Sequence, residues 1–285
     1  MLDVYSKNLS DKDFTRLSQF IQKNYGIKLP PAKKTMLEER LRKRLKYLNQ
    51  SSFKAYCDYV FSPEGKKEEL PFMIDAVTTH KTDFFREPSQ FLFLTNTAIP
   101  ELIKLQKDCI RKKILAWSAA CSTGEEPYTM AMVLSEASDR IAGFDFNIIA
   151  TDISTEVIDR AEPAIYDVEK IDPIPMDLRK KYLLKSRDPS QRIVRIVPEL
   201  RQKVTFLKMN LMDRSYAVPE GIHIIFCRNV LIYFDTATQD KIVRQFYQLL
   251  APGGYLFMGH AETLNNLDLP LQYVAPTIYR KGCLQ

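Results

Sequence analysis

The 285-residue sequence is poor in the residue types on which several chemistries depend. It holds three histidines, His80, His223 and His260, none in an HExxH pattern, so a zinc hydrolase has no support. Its five cysteines (Cys57, Cys109, Cys121, Cys227, Cys283) are scattered, with no CxxC pair and no Cys/His cluster, so neither a disulfide framework nor a metal site is expected. Nine glycines never form GxGxxG, which removes the dinucleotide fingerprint. No apolar run approaches the roughly 18 residues needed to cross a bilayer. The first residues (Asp3, Lys7, Asp11, Lys12, Asp13) lack the apolar centre of a signal peptide, and a cytoplasmic protein is expected. What is present is an ordinary globular composition, 45% hydrophobic and 27% charged, long enough for one large domain or two.

The first part reads as successive amphipathic helices. Ser10 caps one that carries Phe14, Leu17, Phe20 and Ile21 on a face and stops at Gly26. Pro30-Pro31 open a second, with a Leu37, Leu41, Leu45, Leu48 stripe. A third follows Ser51-Ser52 and ends at Ser62-Pro63-Glu64-Gly65, and a fourth runs through Phe72, Met73 and Val77. The expected organisation is a helical domain over 1–76, a linker over 77–90 and a second domain over 91–285. The second helix concentrates the charge: seven basic residues against two acidic ones between Lys33 and Lys46, a net +5 of the chain's +6. With the Leu stripe inward, Arg40, Lys43 and Arg44 share a flank and Lys46 lies close by. That face is either a solvated surface or a docking site for an acidic partner.

From about Lys112 the period changes. Strands are expected at Ile114–Trp117, Asn147–Ile153, Val204–Met209, Ile222–Cys227, Tyr255–Gly259 and Tyr273–Tyr279, with helices at Glu125–Ser138, Ser154–Ala161 and Thr236–Leu250. The alternation implies α/β architecture, a mostly parallel sheet wound on both faces, whose last strand enters antiparallel. Residues 165–200 break the pattern with a helix (Met176–Leu183) and a hairpin (Tyr182–Lys185 with Arg192–Val197), an insertion into the sheet domain. Ligands of such sheets bind at the carboxyl ends of the strands.

Polar residues gather at those ends. After the first strand, small residues at Ser118–Gly124 permit close approach of a ligand to backbone, and Glu125-Glu126 disfavour a pyrophosphate. Ser122 with Glu125 and Thr123 with Glu126 also fit capping boxes. Asp152 ends the second strand, 28 residues after Gly124, where a carboxylate can hold a ribose diol or cap the next helix. Asn210 ends the third strand and Cys227-Arg228-Asn229 the fourth, so a nucleoside site is expected on that edge.

Four segments resemble the chemotaxis receptor methyltransferases, the CheR family: Thr78–Glu87 (TTHKTDFFRE), Trp117–Tyr128 (WSAACSTGEEPY), Thr151-Asp152-Ile153 and Ile225–Phe234 (IFCRNVLIYF). The resemblance implies a Rossmann-like class I methyltransferase sheet with an inserted small β-subdomain, preceded by an all-α domain. It implies S-adenosylmethionine as methyl donor and receptor glutamate carboxylates as acceptors. It puts His80, Thr82, Arg86, Glu126, Asp152, Asn210, Leu211, Arg228 and Asn229 around the cofactor, with His80 standing where the family usually has Asn. Arg86 and Tyr233 are the candidates for positioning donor and acceptor, with no general base and no metal. Tyr233 is also a plain aromatic of the apolar run Val230–Phe234, and His80 also ends the fourth helix. The partners implied are the acidic methylation helices of membrane chemoreceptors, docked on Arg40, Lys43, Arg44 and Lys46. The turn Ser186–Gln191 has no glycine, so a C-terminal receptor tether is not expected to bind the hairpin. A monomer is expected.

Two other readings compete. A nucleic-acid methyltransferase would also use a basic accessory domain, but the Asn/Asp-Pro-Pro-Tyr/Phe turn that stacks an extruded base is replaced here by Cys227-Arg228-Asn229-Val230. Cys227 follows Phe226 rather than Pro, unlike an activated cytosine-C5 nucleophile. A non-catalytic adaptor that senses the cofactor is the other.

Overall fold

The computed structural model describes residues 8–106, 112–188, 190–264 and 268–283. Cys109 and Pro189 of the hairpin turn lie outside them. Helix α1 (Asp11–Tyr25) begins where Ser10 Oγ accepts from the Asp13 N–H at 3.1 Å, and it ends at Gly26, in the left-handed region at φ 72°. Helices α2 (Lys34–Tyr47), α3 (Phe53–Val60), α4 (Gly65–Glu68) and α5 (Leu70–Val77) follow. Gly65 was expected to stop a helix and instead opens α4; it is buried, and a Cβ there would overlap the Tyr59 carbonyl. Leu37, Leu41 and Leu45 of α2 enter one core with Leu17, Ile21, Tyr56, Val60 and Met73.

Helix α6 (Pro88–Phe93) passes through one π-type turn (Leu94–Ala98) into α7 (Ile99–Leu105). No element was expected here. Pro88 and Pro100 look like breakers in sequence, but both occupy first-turn positions, where no N–H partner is needed.

The second domain then alternates β1 (Lys112–Ala119), α8 (Glu125–Arg140), β2 (Phe144–Asp152) and α9 (Thr155–Ala161). The insertion contributes β3 (Ile165–Asp167), α10 (Met176–Tyr182), β4 (Leu183–Lys185) and β5 (Ile193–Ile196), a three-stranded antiparallel sheet in the order β3-β5-β4. The expected hairpin is there, with β3 as a third strand. Then come α11 (Pro198–Arg201), β6 (Val204–Lys208), β7 (Ile222–Cys227), α12 (Thr236–Leu249), β8 (Leu250–Met258), β9 (Leu271–Ala275) and β10 (Ile278–Lys281).

The main sheet has the order β6-β2-β1-β7-β8-β10-β9. Its first five strands are parallel, and β10 runs antiparallel to β8. The segment expected as one last strand is a hairpin: Thr277, at φ 57°, reverses the chain between β9 and β10. Apolar residues fill both sheet faces, one against α6, α7 and α8 and the other against α12. The chain leaves β1 toward β2 and β6, then returns to the opposite side through β7 and β8. The strand order therefore reverses at β1, which puts the crevice outside the carboxyl ends of β1 and β7.

The helical domain closes that crevice. Ile153, just past β2, packs on the helical core. Asn210 Nδ2 donates to the Asn24 carbonyl at 2.9 Å, and the Lys28 N–H donates to the Tyr233 carbonyl at 2.9 Å. A Cβ on Gly26 would overlap the Phe234 ring, so only glycine fits this contact.

Candidate active site

One cleft lies between the helical domain, the linker and the strand ends. His80, Thr82, Arg86, Glu126, Asp152, Asn210, Leu211, Arg228, Asn229 and Tyr233 all line it. These residues come from five separated stretches of chain, and the topology brings every one together.

The floor is built on backbone that L-residues rarely adopt. Ala120 (φ 64°) and Ser122 (φ 50°) follow β1, Asn229 (φ 59°) follows β7, and Phe85 (φ 51°) and Glu87 (φ 59°) lie in the linker. Such strain gathers where a surrounding structure holds a site in shape. Neither expected capping box forms. Gly124 occupies the position before α8, Ser122 Oγ donates to the His80 carbonyl at 3.0 Å, and Thr123 Oγ1 donates to Glu125.

Asp152 is buried, and its two oxygens accept from the N–H groups of Ser122 (2.9 Å) and Ser154 (3.0 Å). Burial pushes its carboxyl above the ordinary range, against the pull of those N–H groups and of His80. The cap of α9 is Ser154, not Asp152. The Asp152 carboxylate lines the cleft, where its remaining acceptor capacity can meet a ligand.

Glu126 accepts from Ser118 Oγ at 2.6 Å and from Arg228 Nε at 2.7 Å. Arg228 Nη1 also donates to the Arg86 carbonyl (2.6 Å) and to Gln90 Oε1 (3.2 Å), while Gln90 Nε2 donates to the Met258 carbonyl and to Thr277 Oγ1. Sequence reasoning treated Glu126 and Arg228 as separate ligand contacts. They form one buried ion pair that ties the linker to β1, β7 and the β9–β10 turn. Asn210 is committed too: beyond its bond to Asn24, its Oδ1 accepts from the Met212 N–H at 2.9 Å.

The His80 ring lies 2.7 Å from Thr78 Oγ1 through Nε2. That hydroxyl also lies within hydrogen-bond distance of the Ile74 and Asp75 carbonyls, so Thr78 fixes the ring to the end of α5. Arg86 Nη1 donates to the Lys81 carbonyl at 2.8 Å, which curls the linker and leaves the rest of the guanidinium at the cleft.

Two residues escaped sequence reasoning. Gln90 sits in a helix the sequence concealed. Glu262 is buried and accepts from the N–H groups of Gly259 (2.7 Å), Asn229 (2.9 Å) and Ile232 (3.3 Å), so it shapes the turn bearing Asn229 and Tyr233. Burial raises its carboxyl above the usual carboxylate range. A lone Glu after a strand carries no sequence signal for such a role.

The basic flank of α2 needs correction. Arg40 was expected to be exposed, but its Nη1 donates to the Val77 and Thr78 carbonyls at 2.6 and 2.9 Å and its Nη2 to Thr79 Oγ1, clamping the end of α5 to the linker. Arg44 grips buried Glu69 with two bonds, 2.9 and 2.5 Å, and lies over the Tyr47 and Phe72 rings. Lys43 and Lys46 are the exposed members of the set.

Comparison with known proteins agrees with this geometry. Residues 80–279 match the family described as CheR methyltransferase, SAM binding domain, and residues 12–78 match its all-alpha domain. The chain belongs to the CheR methyltransferase family. It is 36% identical over 276 residues to a chemotaxis protein methyltransferase of Borreliella burgdorferi, covering 96% of each chain. To the chemotaxis protein methyltransferase of Escherichia coli K12 it is 36% identical over 271 residues, 95% of this chain and 91% of the other. With chemotaxis protein methyltransferase 2 of Pseudomonas aeruginosa PAO1 it shares 34% over 270 residues, 94% and 92% of the two chains. The cofactor of this CheR domain is accordingly S-adenosylmethionine, on a class I methyltransferase sheet. Among the described residues no helix is long and apolar enough to cross a membrane.

Proposed function

We propose that this CheR-family protein methylates glutamate side chains of membrane chemoreceptors, forming methyl esters. The observation that carries the reading is the convergence of acids, an arginine and a tyrosine on one cleft at the reversal point of the sheet. S-adenosylmethionine presents a sulfonium, an amino group, a carboxylate and a ribose diol, and supplies an electrophilic methyl group. The residues fit that set: Asp152 offers its remaining acceptor capacity to the diol, Glu126, shared with Arg228, offers carboxylate oxygen toward the cationic part, and Arg86 offers guanidinium N–H groups to the carboxylate. His80, Thr82, Asn210, Leu211, Arg228 and Asn229 complete the wall, Arg228 chiefly by holding Glu126 and the linker in place.

The acceptor needs no base. A glutamate has an ordinary pKa of about 4.3 and is already a nucleophilic carboxylate at neutral pH. The protein's work is to hold it in line with the methyl group and to exclude water, which is catalysis by orientation. Tyr233 orients the acceptor by donating from its hydroxyl. Lys43 and Lys46 of α2 supply the docking charge for an acidic receptor helix, with Arg40 and Arg44 acting inside the helical domain. The inserted subdomain takes no tether in this reading, and the protein works as a cytoplasmic monomer.

Within the nucleic-acid reading, cytosine-C5 methylation is disfavoured by Cys227, which is fully buried and whose thiol burial pushes well above its ordinary range, the opposite of an activated nucleophile. The test is transfer of tritiated methyl from S-adenosylmethionine to receptor-containing membranes. Label that survives nuclease and leaves on mild base treatment supports the reading. Nuclease-sensitive label would identify a nucleic-acid enzyme, and cofactor binding with no transfer would identify an adaptor.

A further inference from the structure

The cleft has a second charged zone that the cofactor does not account for. Its acidic lining, Glu126 and Asp152, lies at the buried strand ends, where Arg228 sits between the carboxylates of Glu126 and Glu87. Lys28 and Lys33 also line it, from the connector between α1 and α2. Both are exposed, and neither has an ion-pair partner among the described residues. Lys28 is fixed by its own backbone, whose N–H donates to the Tyr233 carbonyl. Gly26 seats the start of this connector against Phe234, and Pro30-Pro31 stiffen it before α2. The connector is thus a pinned lip, and it carries two exposed cations beside the residue proposed to orient the acceptor, Lys28 within reach of the Asp235 charge and Lys33 with no ion pair among the described residues.

Two ammonium groups on a cleft's rim raise the local concentration of anionic groups and repel a cationic acceptor. They are poorly placed to serve a donor that itself bears a sulfonium. We infer that the α1–α2 connector is the acceptor-recognition lip of the cleft, where Lys28 and Lys33 hold carboxylates that flank the methylated glutamate in an acidic peptide segment. This rests on the functional reading above and adds to it: selection of an acidic segment occurs at the mouth of the active cleft, as well as on α2.

The test compares native protein with Lys28→Glu/Lys33→Glu. Both side chains are exposed, so the variant should keep its melting temperature, and calorimetry should give unchanged S-adenosylmethionine affinity. The KM for receptor membranes should rise roughly tenfold or more, the lower end of what a charged cleft contributes, with kcat little changed. Charge-preserving Lys28→Arg/Lys33→Arg should restore the native KM. A peptide acceptor whose flanking acids are replaced by glutamine should be methylated with the same KM by native and reversed proteins. Unchanged receptor KM in the reversed variant, or equal loss of cofactor affinity, overturns the lip while leaving the methyltransferase reading intact. Absence of base-labile methylation by the native protein overturns both.

Discussion

Arg228→Ala should be far more damaging than the loss of one ligand contact. The Arg228 side chain is 2% exposed and its partner Glu126 10%. Truncation leaves the Glu126 carboxylate without its counter-charge and frees Gln90 Oε1 and the Arg86 carbonyl from their donor. Breaking a buried pair from one side costs about 3–5 kcal/mol, because a desolvated charge is left uncompensated. At roughly 2–4 °C per kcal/mol for a chain of this size, the melting temperature should fall by about 6–20 °C. Arg228 also lies 3.6 Å from the Glu87 carboxylate, which every Arg228 variant leaves without that cation; Arg228→Met/Glu126→Gln removes the charge stranded at Glu126, so the double variant should recover about 2 kcal/mol relative to the sum of the Arg228→Met and Glu126→Gln losses. Scanning calorimetry of the cofactor-free protein, with the singles and the double as a cycle, reads this directly. Additive losses, or a loss under about 1 kcal/mol for Arg228→Ala, would refute the claim that Glu126 and Arg228 act as a unit.

Other changes should separate ligand contacts from framework. Asp152→Ala should weaken S-adenosylmethionine binding by roughly 1.5–3 kcal/mol, the worth of hydrogen bonds to a charged acceptor; unchanged affinity by calorimetry in a folded variant would remove Asp152 from the site. Arg44→Glu places a carboxylate against buried Glu69 and should cost about 3–5 kcal/mol of stability, whereas Lys43→Glu should stay within about 0.5 kcal/mol yet raise the receptor KM; equal denaturation midpoints for the two would contradict the contacts of α2. Gly26→Ala combines a left-handed φ, worth about 1–2 kcal/mol, with overlap of Phe234, worth about 1–3 kcal/mol. It should therefore lower stability and displace the connector; a variant as stable as the native protein in urea would show that the lip is not pinned there.

Periodicity made four of the first domain's helices, α1, α2, α3 and α5, and the five parallel strands legible, because amphipathic spacing and strand-length apolar runs report burial directly, whereas the single turn of α4 is too short to show a period. Asp152, Asn210 and Asn229 were legible as a site because α/β topology sends strand ends to one edge. What remained hidden depends on distant partners. Pro88 and Pro100 resemble helix breakers until their places in first turns are known. Tyr273–Tyr279 looks continuous because Pro276-Thr277 lacks the glycine that marks a tight turn, and Thr277 adopts the left-handed conformation itself. The charges of Arg40 and Arg44 are plain in sequence, but their acceptors, the Val77 and Thr78 carbonyls and Glu69, lie 25 or more residues away. Glu262 works through backbone N–H groups, which no side-chain pattern encodes.

The most direct measurement is tandem mass spectrometry of chemoreceptor membranes incubated with the protein and isotope-labelled S-adenosylmethionine. Labelled methyl esters confined to glutamate side chains, absent when the protein is omitted and lost on mild alkali, are the predicted result. Label on another residue type or on nucleic acid, or cofactor bound with no label transferred, would contradict the account.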